Sequence, residues 1–134
     1  MKKVTPFLMF QGNAEEAINF YTNLIEDSEI ISMTRHDANE GGEENTALEA
    51  VFTIKGQEVM CIDSNIKHPF NFTPSFSFFI TCDTEDEVVR LYGALSKDGS
   101  VLMPLDAYPF SRKFSWVVDR FGVSWQLSLP NKQN

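Results

Sequence analysis

Apolar and polar residues alternate most clearly in the last third of the chain. Phe114, Trp116 and Val118 alternate with Ser115 and Val117, and Val123, Trp125, Leu127 and Leu129 alternate with Ser124, Gln126 and Ser128. Period-two alternation predicts two strands, each with two chemically different faces. Gly122 sits where a connecting turn often needs positive φ. One face of the final strand is large and apolar and should pack on a core. The other is small and polar, facing either water or a solvent-filled cavity.

The same patterning organises the rest. Val4 to Phe10 reads as a short apolar strand. Asn13 is placed to cap a helix, with Glu16 as capping-box partner, and Ala17, Phe20, Tyr21 and Leu24 share one helical face. That helix should end near Ile25 to Asp27. Glu29 to His36 reads as a strand, 39–45 as a polar, mobile loop, and Ala47 to Ile54 with Glu58 to Ile62 as a hairpin about Lys55-Gly56-Gln57. Residues 63–74 show no periodicity and carry Pro69 and Pro74. They are expected to cross the protein as a linker, with Phe70 and Phe72 packing down. The pattern then restarts. Ser75 to Cys82 is a strand, Thr84 and Glu87 form a capping box, and Val88, Leu91, Tyr92 and Leu95 make a second helical stripe broken by Asp98-Gly99. Val101 to Met103 is a strand, and the closing hairpin follows Pro109.

This restart is an internal repeat. Asn13 matches Thr84, Tyr21 matches Tyr92 and Leu24 matches Leu95 at one offset of 71, and Gly56 matches Gly122 at 66. Each half is strand, helix and three strands. A four-stranded sheet covered by one helix leaves its other face bare, and two such sheets brought together would enclose a pocket. The expected class is α+β, two tandem βαβββ modules with curled mixed sheets enclosing a cavity. The boundaries are module one at 1–63, linker at 64–74 and module two at 75–134, within a single domain.

Composition narrows the function. A chain of 134 residues is normally one domain with a real core, and 43% hydrophobic residues with twelve Phe support a packed globule. A net charge of −8 with scattered Lys and Arg argues against nucleic-acid binding. The first residues lack the apolar run of a signal peptide and no stretch is long enough to span a membrane, so a cytoplasmic protein is expected. Cys61 and Cys82 are then thiols in apolar runs, read as small buried hydrophobes. His36 and His68 show no local metal spacing and read as surface residues. Asp63 is a lone carboxylate that could face a pocket mouth, with no partner to make it an acid or base. Phosphate loops, dinucleotide fingerprints and nucleophile elbows are missing from the sequence.

The stretch Trp116-Val-Val-Asp-Arg-Phe-Gly-Val-Ser-Trp-Gln-Leu127 resembles the C-terminal signature of PhnB-like proteins. These belong to the vicinal oxygen chelate superfamily, with glyoxalase I, bleomycin-resistance proteins and extradiol dioxygenases. The resemblance extends to Thr5-Pro-Phe-Leu-Met-Phe-Gln-Gly-Asn13 and Glu15 to Tyr21, so it covers nearly the whole chain. It implies the same βαβββ duplication and a homodimer. In metal-using relatives each half gives two ligands, one early in its first strand and one past the hairpin glycine. Here those positions fall at Pro6 (or Thr5 with a slip of one), Met60, Ser77 (or Phe76) and Gln126. Pro, Phe and Met cannot serve there and Ser and Gln are weak ligands for transition metals, so neither a metal nor a cofactor is expected. Ser77, Ser124, Gln126 and Ser128 would line the cavity. Met60, Trp116 and several Phe would supply apolar contact, and Arg112 and Tyr108 would lie on a loop closing the mouth. The polar residues equally fit a wet sheet face, and the two tryptophans a core.

Three functions follow. The first is a metal-free homodimer of the bleomycin-resistance type binding an unidentified small molecule. The second is a metal-dependent lyase, isomerase or dioxygenase using an unexpected ligand set. The third is a structural module without ligand. Some PhnB-like proteins are labelled ubiquinone-pathway methyltransferases. This chain lacks the alternating βα pattern and Gly-rich first turn that a Rossmann-like methyl-donor site needs, so that activity is not expected.

Overall fold

A computed structural model describes residues 1–35, 48–64 and 67–132. The chain divides into two compact units, Met1–Pro69 and Phe70–Asn134. Their boundary falls inside the expected linker.

The first unit runs β1 (Phe7–Phe10), α1 (Ala14–Leu24), β2 (Ile30–Arg35), β3 (Leu48–Ile54) and β4 (Gln57–Asp63). The strand order is β1-β4-β3-β2, with β1 parallel to β4 and the other pairs antiparallel. Alternation places Leu48, Ala50, Phe52 and Ile54 of β3 on one buried face with Val59 and Cys61 of β4. Helix α1 covers that face with Ala14, Ala17, Ile18 and Tyr21, and Tyr21 stacks on Phe52 at 6.5 Å between ring centroids. Ile18 takes the buried position that the sequence reading gave to Phe20, which is only half-buried. His36 and the 39–45 loop lie outside the described residues.

The second unit repeats the topology with β5 (Ser77–Thr81), α2 (Glu85–Ser96), β6 (Ser100–Tyr108), β7 (Ser111–Val118) and β8 (Ser124–Leu129), ordered β5-β8-β7-β6. Val88, Leu91 and Leu95 of α2 are buried and the helix packs on β7 and β8, where Val117, Trp125 and Leu127 are fully buried. The duplicated βαβββ architecture is therefore as the repeat predicts, in two mixed four-stranded sheets. Strand β6 is longer than expected. It runs nine residues as an edge strand, tolerates Pro104 and shows three shifts of register against β7. The linker is split in behaviour: Phe72 lies beside Gly122, whereas Phe70 is 55% exposed.

The two helices are capped differently. Thr84 Oγ1 accepts from Glu87 N (3.1 Å), and Glu87 Oε1 accepts from Asp83 N (3.0 Å), a local box of the expected kind. Asn13 occupies the N-cap of α1 without a side-chain bond. Its place is taken by Asp63 at the end of β4, whose Oδ1 accepts from Gly12 N (3.0 Å) and Ala14 N (2.9 Å). Asp63 is 5% exposed, so it caps a helix instead of facing a pocket mouth.

Candidate functional site

The geometry of the second sheet starts at the β7–β8 hairpin. Gly122 adopts φ +94°, a conformation that costs other residues strain. Asp119 fixes the turn from within: Oδ1 accepts from Phe121 N (2.8 Å) and Val123 N (3.0 Å), and Oδ2 from Trp125 Nε1 (2.8 Å). With this register Trp125 and Leu127 point to the helix-covered face, and Ser124, Gln126 and Ser128 to the other.

On that other face four of the sequence-predicted site residues meet. Ser77 opposes Ser124 across β5 and β8, and Trp116 opposes Gln126 across β7 and β8. Ser77 Oγ lies 2.6 Å from Ser124 Oγ, Trp116 Nε1 donates to Ser124 Oγ at 2.8 Å, and Gln126 Nε2 reaches Ser77 Oγ at 3.4 Å. Ser124 is 1% exposed, whereas Ser77, Trp116 and Gln126 are half-buried. Ser128 is not available to this group. It is bonded to the buried Ser111 hydroxyl at 2.9 Å, a staple that also reaches Leu129 O.

An aromatic surface adjoins the polar group. Phe79 pairs with Gln126 and is 59% exposed. Its ring lies 6.4 Å from Phe114, which packs edge-on against Phe110 at 5.0 Å, and Phe110 stacks on Tyr108 at 5.6 Å. The sequence reading expected phenylalanines here without naming Phe79. Its position two residues past Ser77 on a strand was the available signal.

Two predicted residues stand apart. Arg112 is not on a closing loop but is the second residue of β7, where it lines an open depression with Glu85, Lys113 and Leu129. Tyr108 is likewise in a strand, the last residue of β6, with its hydroxyl donating to Pro104 O at 2.8 Å. The strand position of Tyr108 is hidden in the sequence because β6 lacks clean alternation, and that of Arg112 because β7 opens on the polar run Ser111-Arg112-Lys113. Met60 belongs to the first unit, where it pairs with Phe7 of β1 and Val51 of β3.

Register also corrects the candidate metal positions. Phe7 pairs with Met60 as Phe79 pairs with Gln126. Counting back two residues from each phenylalanine gives Thr5 and Ser77. Thr5, not Pro6, is therefore the counterpart of Ser77. The positions are then Thr5 and Met60 in the first unit, a hydroxyl and a thioether, and Ser77 and Gln126 in the second, a hydroxyl and an amide. Neither pair offers an anionic or imidazole donor, so neither fits a divalent cation that must hold substrate oxygens. Among the described residues no group of three His, Cys, Asp or Glu is arranged to hold a metal ion.

The remaining reactive groups are accounted for locally. Burial pushes the Cys61 thiol up to about 12, with Asp63 adding to the effect, and burial does the same to Cys82, helped by Glu87 and Asp83. His68 Nε2 lies 2.8 Å from Ser64 Oγ, and its backbone N–H donates to Gln11 Oε1 at 3.2 Å. Within the described residues no helix is long and apolar enough to cross a membrane.

Comparison with known proteins places the molecule. The model of a family described as 3-demethylubiquinone-9 3-methyltransferase matches residues 2–128. A PhnB protein from Bacillus cereus, carrying the same methyltransferase description, is 53% identical over 96% of this chain and 99% of its own, with a TM-score of 0.91. The chain belongs to the PhnB-like family. A Pseudomonas aeruginosa protein of 25% identity also superimposes on this PhnB-like chain with a TM-score of 0.78, covering 98% of it and all of the other chain, 100%. The fold extends to a glyoxylase/bleomycin resistance protein/dioxygenase domain from Frankia at 13% identity and a TM-score of 0.68, over 100% of this chain and 96% of that one. The PhnB-like chain thus shares the fold of that superfamily. No curated protein matches it.

Proposed function

We propose that this PhnB-like protein is a metal-free, homodimeric small-molecule binder. The observation that carries the reading is the meeting of Ser77 and Gln126. The two positions of the second half that would bear metal ligands are instead joined to Ser124 and Trp116 in an uncharged hydrogen-bonded group. A half-buried polar group beside exposed aromatic rings suits an organic ligand that needs both apolar contact and orientation. A second copy is supported by apolar side chains left in water, including Phe7, Ile31, Val101 and Leu102.

Methyl transfer is disfavoured. A methyl donor with an adenosine group needs a carboxylate for its ribose hydroxyls and a glycine-rich turn for close approach. The buried carboxylate at the first strand–helix turn, Asp63, is committed to the amides of Gly12 and Ala14.

Native mass spectrometry of untagged protein purified without chelators tests the reading. A dimer mass without metal, bare or with an organic adduct, is expected. One metal ion per chain would overturn the reading in favour of a metalloenzyme, and a monomer at micromolar concentration would remove the dimer.

A further inference from the structure

Counting protons in the polar group gives it a direction. The Trp116 indole can only donate, so Ser124 Oγ is an acceptor in that bond. One hydroxyl proton joins Ser124 to Ser77. If Ser77 supplied it, the Ser124 proton would be left buried without a partner, because Ser124 is 1% exposed. Leaving a buried donor unsatisfied forfeits its hydration without a compensating bond. The order is therefore Trp116 to Ser124 to Ser77, and the unspent proton is that of Ser77, which is half-buried and reachable. Turning the Gln126 amide does not change the outcome. With Nε2 toward Ser77 the outward donor is the Ser77 hydroxyl, and with Oε1 there it is the Gln126 NH₂.

We infer that this end of the sheet face is a donor site for an uncharged acceptor oxygen, and that the ligand is a flat aromatic molecule carrying a carbonyl. This rests on the small-molecule reading above. Among the described residues no ionised side chain is bonded to the group, so a carboxylate or an ammonium entering it would lose hydration without gaining a counter-ion. Phe79, directly across from Gln126 and 59% exposed, offers a ring face beside the donor. An aromatic ligand stacks on it while its carbonyl meets the donor.

Three probes of similar shape test this on the intact protein: acetylnaphthalene, isopropylnaphthalene and naphthoate. The readout is the indole N–H resonance of Trp116, followed by NMR. Acetylnaphthalene should bind about tenfold more tightly than isopropylnaphthalene, since one net hydrogen bond separates them. Naphthoate should bind more weakly than acetylnaphthalene. Ser77→Ala combined with Gln126→Leu, which removes both candidate donors, should abolish most of the ketone's advantage over the hydrocarbon. Equal binding of ketone and hydrocarbon, or strongest binding by naphthoate, would overturn the donor assignment while leaving the binding function intact. If no probe shifts the resonance, the binding function itself fails and the inference with it.

Discussion

The Asp119 carboxylate accepts the indole N–H of Trp125 at 2.8 Å while its other oxygen holds the amides of Phe121 and Val123. One side chain thus sets both the turn and the orientation of the largest buried ring in the second unit. Asp119→Ala leaves three donors without an acceptor, and is expected to cost about 2–4 kcal/mol. Urea unfolding followed by tryptophan fluorescence measures this. A loss under about 0.5 kcal/mol, the size of an ordinary surface change, would show that solvent replaces the carboxylate.

The unequal caps give a second test. Asp63→Ala and Thr84→Ala should each destabilise by about 1 kcal/mol. Their footprints should differ. Loss of Asp63 should speed amide exchange at Gly12 and Ala14 as well as at the end of β4, because it joins the two. Loss of Thr84 should be felt within the first turn of α2 alone.

Two glycines should respond in opposite directions. A Cβ at Gly99 would fall 2.1 Å from Val118 O, a backbone atom of the neighbouring strand, whereas one at Gly93 meets nothing within 4 Å. Gly99→Ala is therefore expected to destabilise by about 2–3 kcal/mol, in the upper range for overpacking. Gly93→Ala, in the interior of α2, should stabilise by about 0.5–1 kcal/mol through helix propensity. Thermal melts of the two variants against the parent give the signs directly.

Cys61 and Cys82 should be unreactive in the folded protein. With pKa values pushed from an ordinary 9.0 to about 12, roughly one thiol in ten thousand is ionised at pH 8. Iodoacetamide at that pH should label both only after unfolding. The raised values also mean that the folded state holds its protons more tightly. The stability linked to them is full below pH 9 and falls as pH rises toward 12. Rapid labelling of native protein would show that one or both thiols open to solvent.

What could be read from the sequence follows from locality. Period-two alternation around Trp125 and helical spacing from Val88 to Leu95 are short-range signals, and the repeat of Asn13 as Thr84 located the second module. The polar group was legible in part for the same reason, since Ser124 and Gln126 alternate with buried residues, while Ser77 was singled out by the family resemblance. Parallel register was not legible. Nothing local shows whether Pro6 or Thr5 lines up with Ser77, and the β1–β4 and β5–β8 pairings were needed to decide it. The role of Asp63 was hidden because it acts 49 residues from Ala14. Asp119 was closer to hand, since an aspartate three residues before a turn glycine is a frequent acceptor for turn amides. Strand β6 was cut short because Pro104 argues against a central strand, and it is in fact an edge.

The two helix caps also carry a consequence for the order in which the chain acquires structure. The cap of α2 is closed by residues 83–87, so that helix can nucleate as soon as its own segment exists. The cap of α1 comes from the last strand of its unit, so its first turn must wait for a loop of some fifty residues to close. Halves of the same topology should therefore mature by different routes, the second from its helix outward and the first all at once. Pulse-labelled hydrogen exchange during refolding should find protection in α2 before α1, and the reverse order would show that the shared topology, not the caps, sets the sequence of events.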